Sequence, residues 1–275
     1  MRCYPNCKIN LGLHVVRRRA DGFHDLETLF LPIPLCDTLE IEPAAEFAFV
    51  QDGLPMVDDG KENLVVRAFR LMQREFPSRV LPVGIHLTKH IPCGAGLGGG
   101  SSNVAFTLLM LNELYDLKLE QKQLTRLAAQ LGADCPFFIL NEPVYATGIG
   151  DCMTPLGFNP LKGLQLLLVK PDEAVSTAEA YGNIVPRERW ASTPAMLLPD
   201  AVRTPVAQWR ETVCNDFERS VFEQHPRLRQ LKQRLYDSGA LYASMTGSGS
   251  AFFGLYNGQP PAERFDDCMH FSFSF

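Results

Sequence analysis

Pro92-Cys-Gly-Ala-Gly-Leu-Gly-Gly-Gly-Ser-Ser-Asn103 places five glycines between positions 94 and 100, directly ahead of an apolar segment running from Val104 to Leu114. Glycine lets a backbone approach a ligand closely and adopt positive φ, so successive N–H groups converge on an anion while the following helix points its positive end at the same spot. The stretch therefore predicts a phosphate cradle, with Pro92, Gly94, Gly96, Leu97, Gly98, Gly99, Gly100, Ser101 and Ser102 as its candidate residues. A flexible linker is the bland alternative, but linkers are flanked by polar sequence rather than by an apolar helix.

The cradle is not a Walker loop, because that pattern needs a Lys immediately before its Ser/Thr and Gly100 stands there. A helix end supplies only about half an elementary charge. A triphosphate therefore calls for a metal ion and for lysines from elsewhere, and Lys8 and Lys89 are the candidates. The string Gly94-Ala-Gly-Leu-Gly-Gly99 also satisfies the dinucleotide fingerprint G-x-G-x-x-G, a rival reading. In that fold the first glycine follows a strand closely; here Thr88 to Cys93, including Pro92, intervenes after the expected strand Val83 to Leu87. The acids a ribose would need (Glu113, Asp116 and Glu120) are common on exposed helix ends and decide little.

With 275 residues, 46% of them hydrophobic, the chain is long enough for one large domain or two intimate ones. A net charge of −5 gives no basic footprint for nucleic acid. The one basic run, Arg17-Arg18-Arg19, reads either as a solvated turn or as an attractor of an anionic substrate. The eight cysteines never form C-x-x-C and H-E-x-x-H is absent, which argues against zinc and for reduced, packed thiols, Cys93 included. The N-terminal residues lack a signal-peptide core and no run approaches 18 apolar residues, so the expectation is a soluble, cytoplasmic protein without membrane partners.

Along the chain, Ile9, Leu11, Leu13 and Val15 alternate with Lys8, Asn10, Gly12 and His14, predicting a half-buried strand with Lys8 and Asn10 on one side. Strands are expected near residues 29–31, 38–42, 47–50, 83–87, 164–169, 242–245 and 251–256. Helices are expected over 64–74, after the glycine loop, around Leu124 to Leu131 with Gly132 as terminator, and around Leu228 to Leu235 ended by Gly239. The elements interleave without the regular alternation of a doubly wound sheet, so the class is α+β, with a boundary near residue 155: domains 1–155 and 156–275.

The motif order Lys8-x-Asn10, Ala20-Asp-Gly-Phe-His24, the glycine loop to Ser102, Leu131-Gly-Ala-Asp134, Asn215-Asp-Phe-Glu218 and Thr246-Gly-Ser-Gly249 closely resembles the GHMP kinases over nearly the whole chain. Within them, Asp21-Gly-Phe-His24 and Asn215-Asp-Phe-Glu218 resemble the branch that phosphorylates a cytidyl-linked sugar alcohol. The resemblance implies a two-domain α+β fold: a ribosomal protein S5 domain 2-like nucleotide domain and a ferredoxin-like substrate domain, with a deep cleft between them. It also implies ATP and Mg²⁺ as cofactors, a small-molecule acceptor, and a monomer or homodimer. Phosphoryl transfer asks mainly for positioning and charge stabilisation.

Carried over residue by residue, Asp134 matches the catalytic aspartate and Lys8 its partner, although an Asp two residues before a Pro is also a good helix cap. Asn10 matches a residue near the reacting hydroxyl, and His24 the reader of the cytosine edge. Phe23 replaces a common Tyr, and Tyr181 is the candidate second ring for base stacking, worth about 1–3 kcal/mol. Asn63 and Lys89 match positions near adenine and phosphates; Thr246, Gly247 and Ser248 would line the acceptor side. Ser101 or Ser102 would reach Mg²⁺ or cap the helix, and the remaining metal ligands are left unassigned. Other GHMP acceptors of mevalonate or homoserine type, a dinucleotide-dependent oxidoreductase and a silent nucleotide-binding protein are the competing readings.

Overall fold

Residues 1–55, 60–182, 184–187 and 196–275 are described by the computed structural model, in which the chain divides into two compact units built from interleaved segments. The first comprises Met1–Lys8, Pro32–Cys93 and Gly98–Glu142; the second Ile9–Leu31, Gly94–Leu97 and Pro143–Phe275.

In the first unit, strands β1 (Arg2–Cys3), β4 (Thr38–Pro43), β6 (Val83–Lys89) and β5 (Ala48–Gly53) form a sheet in that order, antiparallel except for the parallel β5–β6 pair. Alternation along β6 buries Val83, Ile85 and Leu87, and among the described residues four helices accompany the sheet in this unit. Helix α1 (Leu64–Glu75) buries Val65, Val66, Ala68, Phe69, Leu71 and Met72 along one stripe, and Asn63 caps it by accepting from the Val65 N–H at 2.8 Å. Helix α2 (Gly99–Leu114) is apolar nearly all round and packs against α1, α3 (Gln121–Ala129) and α4 (Cys135–Leu140), as a central helix must. Burying one such Leu, Val or Phe side chain contributes about 1.5–3 kcal/mol.

The second unit holds most of the long hairpin β2 (Asn6–Arg18) and β3 (His24–Cys36), continued by β7 (Val144–Thr147) and β8 (Cys152–Pro155). A second sheet runs β10 (Tyr242–Met245), β11 (Phe252–Tyr256), β9 (Gln165–Lys170), β12 (Met269–Ser274), fully antiparallel. Helices α5 (Thr177–Gly182), α6 (Leu198–Ala201), α7 (Trp209–Thr212), α8 (Phe217–Gln224) and α9 (Pro226–Asp237) all fall between its first and second strands in sequence. That strand order is the ferredoxin-like arrangement, with a short helical turn, Ala262–Phe265, in place of its second helix. Leu167, Val169, Phe217, Val221, Leu228, Leu231, Leu235 and Phe252 knit α8, α9 and this sheet into one core. The class is α+β, as the element order predicts.

One expectation changes. Strand β2 is buried on both faces from Asn6 to Val15 rather than half-buried, because its polar side chains are taken up by partners: Lys8 by Asp134, Asn10 by Thr28, His14 by Glu27.

Candidate functional site

The glycine loop is held at two points. In the second unit, Gly94–Leu97 lies against the turn after β10: the Thr246 hydroxyl donates to the Gly96 carbonyl at 3.2 Å, and the Ala251 N–H donates to the Ala95 carbonyl at 3.2 Å. Gly96 and Gly247, at φ +76° and +56°, occupy the left-handed region there, where glycine carries no Cβ penalty. In the first unit, Gly98 at φ +69° serves as the N-cap of α2 without any side-chain hydrogen bond, and no acidic residue occupies the first turn. The opening N–H groups and the positive end of the helix are thus left for an anion. Gly99 and Gly100 already belong to the helix, so the cradle is shorter than the run of glycines suggests.

Lys8 lies beneath this helix start. A Cβ on Gly98 would come within 3.2 Å of Lys8 Cε and 3.0 Å of the Phe138 ring. The Lys8 ammonium, on a side chain only 4% exposed, stands 3.7 Å from Asp134 Oδ2, which is 38% exposed. Burial pulls the Lys8 pKa below its ordinary value, and the charge of Asp134 works against that pull. Asp134 occupies the N-cap position of α4, ahead of Pro136, yet its side chain makes no capping hydrogen bond. Its carboxylate faces Lys8 instead. This pair, a cation and an open carboxylate beside an uncapped helix start, is suited to hold a phosphate and to take a proton from an alcohol.

Asn10 is fixed at both its backbone and its side chain within the second unit. Its N–H donates to Thr246 Oγ1 at 3.0 Å, its Nδ2 donates to Thr28 Oγ1 at 2.9 Å, and Thr28 in turn donates to the Gly12 carbonyl at 2.6 Å. The turn Thr246–Gly249 is anchored by Asn215, whose Nδ2 donates to the carbonyls of Met245 and Gly247, both at 2.8 Å. Ser248 is half-buried, 3.3 Å from the Thr177 hydroxyl.

His24 and Tyr181 come together, with ring centroids 5.0 Å apart and planes 30° apart. Tyr181 also meets Phe217 edge-on at 4.7 Å. Burial and the neighbouring Arg18 charge lower the His24 pKa, so its ring is neutral near pH 7 and offers one donor and one acceptor. Phe23 sits apart, 59% exposed on the hairpin tip, where its N–H donates to Asp21. Arg17 and Arg19 are paired with Asp21 and Asp25 on that tip.

On the nucleotide side the residues divide. Lys89 is 2% exposed and its ammonium is engaged by Asp37 and by Asn103 Oδ1 at 3.0 Å. Asp37 also accepts from the His90 and Ile91 N–H groups at 2.7 and 2.8 Å, so this buried set fixes the chain entering the loop. Asn63 caps α1 and donates to Gln51 Oε1 at 2.8 Å; Pro92 is buried. Neither Ser101 nor Ser102 is the cap of α2. The Ser102 hydroxyl is fully buried and has no hydrogen-bond partner among the described residues. Among those residues no cluster of three or more His, Cys, Asp or Glu is placed to hold a metal ion.

Sequence reasoning missed Thr28, Asp37, Asn103 and Asn215 as anchors. Asn215 stood inside a quoted motif, and Asn103 directly follows the two serines; buried polar residues next to a candidate loop were the available signal.

Two family models match parts of the chain: GHMP kinases N terminal domain over residues 63–142 and GHMP kinases C terminal over residues 199–273. The chain belongs to the GHMP kinases. A relative from Azobacteroides pseudotrichonymphae genomovar. CFP2, named 4-diphosphocytidyl-2-C-methyl-D-erythritol kinase, is 48% identical over 93% of this chain and 93% of its own. A crystal structure of 4-(cytidine 5'-diphospho)-2C-methyl-D-erythritol kinase is 34% identical, with a TM-score of 0.80 over 99% of this chain and 98% of that one. The mevalonate kinase of Methanococcus jannaschii, at 14% identity and a TM-score of 0.72 over 99% and 97%, shares the GHMP kinase fold. Among the described residues no helix is long and apolar enough to cross a membrane.

Proposed function

We propose that this GHMP kinase transfers the γ-phosphoryl group of ATP to the 2-hydroxyl of 4-diphosphocytidyl-2-C-methyl-D-erythritol, a step of non-mevalonate isoprenoid precursor synthesis. The observation that carries the chemistry is the Lys8–Asp134 pair, 3.7 Å apart under an uncapped helix start. ATP phosphates lie on the amides of the glycine loop. Asp134 accepts or orients the proton of the acceptor hydroxyl as the new O–P bond forms and the bond to the β,γ-bridging oxygen breaks, releasing ADP. Lys8 stabilises the charge on the transferring group.

Asn10, rigidly held by Thr28 and Thr246, positions the acceptor near its reacting hydroxyl. His24 reads the cytosine edge and Tyr181 supplies a stacking face, which favours a cytidine-bearing acceptor over mevalonate or homoserine. In this reading residues 1–155 chiefly serve the nucleotide and 156–275 the acceptor, with Asn10, Phe23 and His24 contributed by the first span. Mg²⁺ would accompany the ATP and supply neutralisation of phosphate charge, and the Ser102 hydroxyl, without a hydrogen-bond partner among the described residues, would be its oxygen ligand. A phosphorylation assay comparing the cytidyl substrate with mevalonate and homoserine tests the assignment. Turnover confined to the cytidyl substrate is expected, and preference for either other alcohol refutes it.

A further inference from the structure

Helix α5 carries Tyr181, yet of its six residues only Ala180 is buried, so its own packing holds it weakly. What secures it is one side of α8 and the residue that ends α8. Phe217 meets the Tyr181 ring, the Ser220 hydroxyl donates to the Ala180 carbonyl at 3.4 Å, and His225 reaches Glu179. His225 Nε2 is 2.7 Å from Glu179 Oε1, and Nδ1 is 2.6 Å from Glu173 Oε1 on the segment leading into α5. A neutral imidazole has one donor and one acceptor, and between two carboxylates its acceptor nitrogen would face a lone pair. The ring is satisfied only as the cation.

Glu179 in turn braces the first turn of α5, its N–H bonded to Ser176 Oγ at 3.1 Å and its carboxylate accepting from the Ser176 N–H at 3.4 Å. The other charges nearby are directed elsewhere: Lys170 to the carbonyls of Pro171 and Glu173, Arg229 to the Phe222 carbonyl and ring.

We propose that His225 is a positioning residue for the acceptor base: clamped as an imidazolium between Glu173 and Glu179, it holds α5 so that Tyr181 presents its ring beside His24. This rests on the assignment of that ring pair to cytosine. The hydrogen bonds from Glu179 and Glu173 raise the His225 pKa above its ordinary value. The clamp is therefore complete below about pH 6.5 and is lost as pH rises through the raised value.

The test compares wild type with His225→Gln, His225→Arg and Glu179→Gln at pH 6.5 and 9. In wild type the KM for the cytidyl substrate should rise about three- to tenfold between the two, a scale set by coupling through packed side chains. The KM for ATP should not follow. His225→Gln and Glu179→Gln should show the raised KM already at pH 6.5, and His225→Arg, charged throughout, should keep the low KM at pH 9. Hydrogen exchange over residues 177–182 supplies a readout without substrate: wild type should be better protected than His225→Gln at pH 6.5 and equal to it at pH 9. Equal protection at pH 6.5, or a wild-type KM profile in both His225→Gln and Glu179→Gln, overturns the clamp. If wild type itself fails to phosphorylate the cytidyl substrate, the acceptor assignment falls, and exchange alone still decides the clamp.

Discussion

A Cβ atom built on Gly96 would stand 2.1 Å from the carbonyl oxygen of Thr246, closer than any real pair of such atoms. The loop and the turn after β10 are in backbone contact, and only glycine fits between them. At φ +76° a side chain also costs about 1–2 kcal/mol in backbone strain. Gly96→Ala should therefore push the loop off the turn, raising the KM for ATP about tenfold or more by the usual conversion of 1.4 kcal/mol per decade. Steady-state kinetics with varied ATP checks this; an unchanged KM would mean that the loop's path does not matter to the nucleotide.

Asp134→Asn should lower kcat by about 10²–10⁴-fold while leaving ATP binding intact, since the amide cannot take a proton from the acceptor. Calorimetric titration with ATP alongside turnover separates the two effects. Near-normal turnover would remove Asp134 from the chemistry.

Lys8 and His24 predict opposite pH effects. Lys8 must be cationic, and its pKa is lowered by burial, so kcat should fall as pH rises through a value below the ordinary 10.5. Lys8→Arg, where it folds, should move that alkaline limb upward, because a guanidinium stays protonated. His24 serves as a neutral ring, and its pKa is also lowered, so on the acid side the KM for the cytidyl substrate should rise as pH drops below about 6.5, apart from the alkaline rise assigned to His225. His24→Ala should raise that KM at pH 7 and leave the KM for ATP alone. A change confined to ATP contradicts the base-reading role.

Lys89→Met should act on stability before it acts on catalysis. It strands Asp37, which is fully buried and shares its other oxygen with the His90 and Ile91 amides. Removing one partner of a buried ion pair costs about 3–5 kcal/mol, readable as a lower urea midpoint. A normal midpoint with a raised KM for ATP would instead make Lys89 a phosphate ligand.

Much of this was legible in the chain. Period and punctuation located α1, α2, β6, β9, α9 and the two glycine turns, because each is long or strongly bounded. The short helices α5 to α7 and strands β7, β8 and β12 carried too few residues for any period to register. At the site, Lys8 and Asp134 were found by motif, but the burial of Lys89 against Asp37 joins residues 52 positions apart and leaves no local pattern. Likewise the alternation along β2 said which side chains share a face. It did not say that the polar face would also be covered.

The helix that begins at Cys135 starts without help from the residue placed to start it. A serine or threonine at position 134 would leave the buried Lys8 ammonium without that carboxylate, and the helical backbone there, φ −82° and ψ −13°, offers no cap in return. Selecting the protein for heat resistance alone should thus leave the aspartate in place, just as selecting it for turnover would.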